Sequence, residues 1–188
     1  MSSGHDLASI ARPDAGRPGG RTNATESNAA QVLRRRQIVP GRLEDVFAFF
    51  ESPWNLEAIT PPWLRFEILE TTHDTMRVGT EIAYRLRWQG IPMRWRTRIA
   101  ECDSPRMFVD EMTAGPYRRW YHRHSFTPVH GGVEVVDEVE YELPLGWLGR
   151  LVHTALIRAQ LQAIFDYRRD AVAEIFARPL PSDPRSMS

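Results

Sequence analysis

The chain has 188 residues, which suits one domain and a tail. Its 24 basic residues, all arginine, balance 24 acidic ones, so no net field gathers nucleic acid or an anionic membrane. The single cysteine, Cys102, excludes an internal disulfide and a multi-cysteine metal site, and it is compatible with a reducing cytoplasm, the expected location.

No apolar run approaches the roughly 18–20 residues of a membrane span. The N-terminus lacks the apolar core of a signal peptide. Residues 1–30 are rich in Gly, Ser, Ala, Asn and Pro without any period, and read as a disordered leader. Residues 178–188 read as a disordered tail. One domain is expected over 31–177.

Order begins with a strand near Val32–Val39, broken by Pro40-Gly41. Leu43–Phe50 has early acids and apolar residues at helical spacing. Ser52-Pro53 reads as an N-cap and first-turn proline of a second short helix, Trp54–Ile59, which Thr60-Pro61-Pro62 ends. Strands then follow by the period-two test: Leu64–Leu69, Thr80–Trp88, Ile91–Ala100 and Arg106–Met112. A turn at Gln89-Gly90 sets Leu86 opposite Met93 and Tyr84 opposite Trp95, apolar on apolar. Arg85, Arg87, Arg94, Arg96 and Arg98 form an outward array. It reads as a solvated sheet face partly balanced by acids such as Asp110.

The most informative stretch is Trp120–Tyr141, a hairpin turning at His130-Gly131. The charged residues Arg119 and Arg123 point outward, so Trp120, His122, His124 and Phe126 point inward. On the return strand Glu134, Glu138, Glu140 and Glu142 point out, so Val135, Asp137, Val139 and Tyr141 point in. The turn pairs Phe126 with Val135, His124 with Asp137, His122 with Val139 and Trp120 with Tyr141. A slip by one residue would mix the two faces, so the pattern pins the register. Two histidines and a carboxylate on a covered face are costly unless paired or wet, which points to a face lining a cavity.

Leu143-Pro144-Leu145-Gly146 stops the sheet, and one long helix is predicted from about Trp147 to Phe176. Its apolar residues fall on two sides. Leu148, Leu151, Val152, Ala155, Leu156, Ala159 and Ala163 share one; Ile157, Leu161, Ile164, Phe165, Ala171, Val172 and Ile175 share nearly the opposite one. A break or bend near Arg158–Gln162 is the simplest account, and a second apolar neighbour is the alternative. An antiparallel sheet with one apolar face needs a cover, and this helix is the only element large enough.

Several motifs carry a family resemblance. They are Pro40 with Val46-Phe47-Ala48-Phe49, the run Asn55–Pro62, Gly79, Gly115-Pro116-Tyr117, Trp120-x-His122-x-His124-x-Phe126, and Asp137-x-Val139-x-Tyr141-x-x-Pro144-x-Gly146. With these, the chain from about Leu33 to Phe176 resembles the START-related helix-grip (SRPBCC) superfamily, in its polyketide cyclase/dehydrase and lipid-transport branch. The resemblance implies an α+β helix-grip fold. A curved antiparallel sheet of about seven strands would wrap around the C-terminal helix, with two short helices after the first strand. It leaves function open among carriers, chaperones, receptors and cyclases.

Three readings follow. In the first, a hydrophobic, ring-containing or lipidic molecule sits between sheet and helix, against Tyr84, Trp95, Trp120, His122, His124, Phe126, Tyr141 and Leu156. In the second, a cyclase/dehydratase acts on a polyketide-like substrate, with His124 as general base oriented by Asp137. There Glu111 would face inward from its strand as a second acid/base, or Glu111 or Tyr84 would polarise a carbonyl. In the third, the displaced apolar half of the helix docks a partner or a second copy of the chain. His122, His124 and Asp137 could chelate, but a metal site needs about three suitable ligands, and the expectation is no metal and no cofactor. Nucleic acid and integral membrane are not expected partners.

Overall fold

The structure is a computed structural model that describes residues 30–88, 90–143 and 147–177, with side chains in the last stretch from residue 155 onward. Apart from Ala30, the predicted leader and tail lie outside the described residues, as do Gln89, the Pro144–Gly146 stop and the side chains of Leu148, Leu151 and Val152.

Seven strands form the sheet; the central ones alternate polar and apolar residues and bury the apolar set, while the edge strands leave Val32, Ile38 and Leu69 exposed. The seven are β1 (Gln31–Val39), β2 (Glu67–Thr71), β3 (Glu81–Trp88), β4 (Ile91–Asp103), β5 (Met107–Ala114), β6 (Arg119–Val129) and β7 (Gly132–Glu142). They form one curved antiparallel sheet in the order β1-β7-β6-β5-β4-β3-β2. Between β1 and β2 lie helix α1 (Leu43–Glu51) and two short 3-10 turns, Pro53–Leu56 and Pro62–Leu64. Helix α2 (Trp147–Ala177) closes the fold. This is the α+β helix-grip architecture. No helix among the described residues is long and apolar enough to cross a membrane.

The β6–β7 register is the predicted one: Trp120 faces Tyr141, His122 faces Val139, His124 faces Asp137 and Phe126 faces Val135. The β3–β4 pairs Leu86–Met93 and Tyr84–Trp95 also form as expected. Two local expectations differ. Strand β2 starts three residues later than predicted, because Pro62 opens a 3-10 turn through Leu64 and Arg65 takes a left-handed backbone, φ 44°. Ser52 makes no capping hydrogen bond, and only a 3-10 turn follows it.

Two buried clusters hold the layers together. Helix α1 presses Val46, Phe47 and Phe50 onto the sheet, where Phe47 and Phe50 meet Phe126 at ring separations of 5.2 and 5.3 Å. Helix α2 buries Ile157, Leu161 and Phe165 with Leu33, Val139 and Tyr141 in the second cluster, and Val172 in the first. The spacing of 157, 161, 165 and 172 keeps these on one side of a helix. The other stripe, Ala155, Leu156, Ala159 and Ala163, is exposed. Helix α2 is unbroken across Arg158–Gln162, and the described part of the displaced stripe lies on its exposed side.

The outer face is a ladder of ion pairs. Arg85 meets Glu67, Arg96 meets Glu81, Arg98 meets Glu111, and Arg36 meets Glu134. Three of the five arginines of the array, Arg85, Arg96 and Arg98, are therefore paired with glutamates. Asp110, expected among its partners, lies on the other face.

At the β6–β7 turn, Gly132 has φ +147°, and a Cβ there would stand 2.1 Å from the Val39 carbonyl oxygen. The edge strand thus packs directly on the hairpin backbone. Gly132→Ala is expected to destabilise the chain by about 1–3 kcal/mol from backbone strain alone, with the clash adding to it. Chemical denaturation measures this; a midpoint unchanged from wild type would contradict the packing described.

Candidate functional site

Between the two clusters lies a cavity of about 170 Å³, lined by members of both and by α2. One water needs roughly 10–15 Å³ on this scale, so the space exceeds a packing defect more than tenfold. One wall is aromatic. Trp95 stacks on Tyr84 at 5.9 Å and meets Trp120 edge-on at 5.1 Å. These rings share a face because β3, β4 and β6 each place them at alternate positions.

The opposite part of the wall is polar. Adjacent strands β5, β6 and β7 contribute Asp110, then His122 and His124, then Asp137. Asp110 pairs across the ladder with His122, and His124 pairs with Asp137. The side chains also reach diagonally. His122 Nε2 lies 3.0 Å from Asp137 Oδ1, and His124 Nε2 lies 3.1 Å from Asp110 Oδ2, both aligned as hydrogen bonds. His122 Nδ1 is 3.4 Å from Asp110 Oδ2, and His124 Nδ1 is 2.8 Å from Asp137 Oδ1 but out of line for a hydrogen bond. Every ring nitrogen thus lies within 3.4 Å of a carboxylate oxygen, two of the four in hydrogen-bond alignment. The two imidazoles lie 3.8 Å apart and are only 5% and 4% exposed; Asp137 is 8% exposed.

Burial pushes the Asp137 carboxyl up, but the hydrogen bond from His122 and the close approach of His124 outweigh it and hold the group well below the usual carboxylate range. Burial likewise raises Asp110, and the two imidazoles with Arg168 bring it below its ordinary value. Burial pulls both imidazoles toward the neutral form. For His124 the two carboxylates prevail and raise it; for His122 the neighbouring His124 adds to burial and it stays lowered. The two carboxylates thus favour the charged form of His124, while burial and its neighbour favour the neutral form of His122. Tyr84, raised well above its ordinary value by burial and by Asp110, remains a neutral phenol at the cavity.

Of the residues predicted to touch a guest, Tyr84, Trp95, Trp120, His122 and His124 line the cavity. Phe126 does not: it is consumed by the core beneath α1. Tyr141 packs behind Trp120 and against Tyr117, away from the opening. Leu156 is 46% exposed, because α2 turns Ile157 and Leu161 inward instead. Asp137 lies behind the histidines.

Glu111 is the clearest correction. It faces outward and pairs with Arg98, while Asp110 faces the cavity. The cause is a bulge in β4. Arg98 pairs with Glu111 and Ile99 with Asp110, but Glu101 pairs with Val109, so Ala100 is left over. One extra residue inverts the inside–outside parity between the strands. The adjacent apolar pair Phe108-Val109 hid this, since either parity buries one of them.

Sequence reasoning also missed what α2 contributes. Arg168 and Gln160 line the cavity, and Arg168 Nε and Gln160 Oε1 are buried without a hydrogen-bond partner. Trp88 Nε1 and Trp95 Nε1, from the same lining, are likewise unpartnered. Natural proteins rarely leave such groups unpaired. Asp110, His122 and His124 additionally offer three ligand atoms within 4.8 Å of one another.

Residues 39–165 match the family model described as "Polyketide cyclase / dehydrase and lipid transport". No curated protein matches the chain. Among solved structures, the aromatase/cyclase ZhuI from Streptomyces sp. R1128 is similar, with 13% identity, TM-score 0.66 and coverage of 82% of this chain and 98% of that one. TTHA0849 from Thermus thermophilus has 20% identity and TM-score 0.60, covering 78% of this chain and 97% of its own. Major latex-like protein 151 of Panax ginseng has 12% identity and TM-score 0.59, covering 81% and 99%. At these identities the structural likeness concerns the fold.

The parity of β5 can be read from stability. Asp110→Ala leaves two buried imidazoles short of a partner and is expected to cost about 3–5 kcal/mol. Glu111→Ala removes only a surface partner and is expected to cost under about 1 kcal/mol. Urea denaturation of both variants decides; equal losses would contradict the assignment.

Proposed function

Because the chain belongs to the polyketide cyclase/dehydrase and lipid-transport family, we propose that it binds a hydrophobic, ring-containing small molecule in the cavity between sheet and α2. The observation that carries this reading is the lining itself. Stacked rings offer faces to a flat guest and, besides His124 Nδ1, four buried polar atoms there lack hydrogen-bond partners in the protein. Three of them are donors (Trp88 Nε1, Trp95 Nε1 and Arg168 Nε) and one, Gln160 Oε1, is an acceptor. A guest with ring oxygens or carbonyls spaced along an apolar frame satisfies both features. Arg168 has no carboxylate within salt-bridge distance among the described residues, so it suits an anionic or strongly polarised oxygen.

A second reading is favoured by the His/Asp wall. A cavity that holds a guest against His122 and His124, with carboxylates behind, has the parts of a cyclase/dehydratase. In that reading His124, positioned by Asp137 and Asp110, exchanges a proton with the guest and Tyr84 polarises a carbonyl. Glu111 has no part in it, since it points to solvent.

Native mass spectrometry of the protein purified from its own host tests the first reading directly, by a co-purified small molecule. In addition, Trp fluorescence is expected to respond to flat, oxygen-bearing aromatic probes. Trp120→Ala should weaken their binding about tenfold, equivalent to ~1.4 kcal/mol. Arg168→Met should weaken probes with an anionic oxygen and spare purely apolar ones. Silence across a varied panel would overturn the reading. Turnover of a polyketide substrate, lost in His124→Ala while affinity persists, would select the enzyme over the carrier.

A further inference from the structure

We infer that Asp110, His122 and His124 form a binding site for a divalent transition cation, with Asp137 as its outer support and an open position facing the cavity. This goes beyond the guest-binding reading and does not depend on it.

The donor set comes first. Two imidazoles and one carboxylate are ligands that suit zinc, iron(II) and cobalt(II), and no thiolate is present to select a softer ion. Geometry follows. His122 Nδ1 and His124 Nε2 stand 3.4 and 3.1 Å from the same Asp110 Oδ2. With bonds of about 2.0–2.1 Å, neighbouring ligand atoms around a tetrahedral ion are ~3.3 Å apart. Both edges to Asp110 already have that length, and the three residues offer one ligand atom each within 4.8 Å of the others.

The outer support is also in place. The nitrogens left free by this ligation, His122 Nε2 and His124 Nδ1, stand 3.0 and 2.8 Å from Asp137 Oδ1; the first is aligned as a hydrogen bond, and the second needs a small turn of the ring to become one. A metal-bound imidazole characteristically gives its other N–H to a carboxylate, which sets the tautomer and aims the lone pair. In the loaded state His122 keeps its proton on Nε2 and His124 on Nδ1, both toward Asp137. Their lone pairs on His122 Nδ1 and His124 Nε2 then converge beside Asp110.

Charge gives a reason for a cation here. Without one, those two lone pairs would face a buried carboxylate, unless extra protons occupy them. One dication takes the place of the protons and balances the two carboxylates, Asp110 and Asp137, inside a dry wall. Asp110, His122 and His124 all line the cavity, whereas Asp137 does not. The fourth position therefore opens on the guest side, where an oxygen of a bound molecule or water would complete the shell.

The test uses the full chain, stripped with a chelator and then dialysed free of it. Zinc(II) is titrated by calorimetry, and cobalt(II) by its visible absorption. The expected result is one ion per chain, with the cobalt spectrum of a four-coordinate nitrogen/oxygen site. Asp110→Asn and His124→Gln should abolish binding, and Asp137→Asn should weaken it about 10–100-fold. Circular dichroism establishes that each variant is folded. If any variant is not, X-ray absorption of the wild-type zinc complex decides in its place: two imidazoles with oxygen donors support the site. An all-oxygen shell, no uptake by the folded wild type, or uptake unchanged in Asp110→Asn would overturn it. Guest binding that persists in the stripped protein leaves the earlier reading standing whatever the metal result.

Discussion

The diagonal contact between two strand-borne histidines and two carboxylates is the constraint around which this molecule is arranged. Each of the four groups is expensive to bury alone. Together they share protons and charge across three adjacent strands, and every ring nitrogen has a carboxylate oxygen within 3.4 Å. That requirement fixes β5, β6 and β7 relative to one another. It also demands that something other than hydrocarbon cover this part of the sheet. A tightly packed apolar helix face would leave the polar wall without compensation.

Helix α2 meets that demand with a mixed face. Ile157, Leu161 and Phe165 seal one cluster, while Gln160 and Arg168, on the same side of the helix, stand over the cavity. Phe165 also packs edge-on against His122 at 5.6 Å, and Phe108 stacks on His124 at 4.3 Å. Aromatic surface therefore flanks the imidazoles beside the carboxylates and leaves their remaining side to the cavity. The result is a cavity with a ring-lined side, a charged side and a few unpartnered donors between them. Such a division orients an asymmetric guest, since only one end of it can satisfy each side.

The outer face follows a different rule. Its arginines and glutamates alternate along neighbouring strands and neutralise each other in water, where each pair contributes little. Their effect is on register and solubility more than on stability. The contrast with the inner face is one of dielectric. The same kind of carboxylate–cation pairing that is nearly neutral outside becomes, inside, a determinant of which backbone arrangement is tolerated.

What the amino-acid order alone settled was the part governed by short-range alternation. The hairpin of β6 and β7 has charged residues on one parity and apolar or imidazole residues on the other, joined by a tight turn. Only one pairing keeps the two sets apart, so His124 against Asp137 was legible before any coordinates. The order of elements and the resemblance of the motifs made the helix-grip architecture legible too. Tertiary structure decided the rest. The leftover Ala100 in β4 reverses the parity of β5, which exchanges Glu111 for Asp110 at the wall. The rotation of α2 chooses Ile157 over Leu156 and brings in Arg168. The seating of α1 turns Phe126 from lining into core. Alternation is a property of neighbouring residues and can be read from them. A bulge, a helix rotation and a filled or open volume are settled by packing between elements distant in the chain, where several local patterns satisfy the same composition.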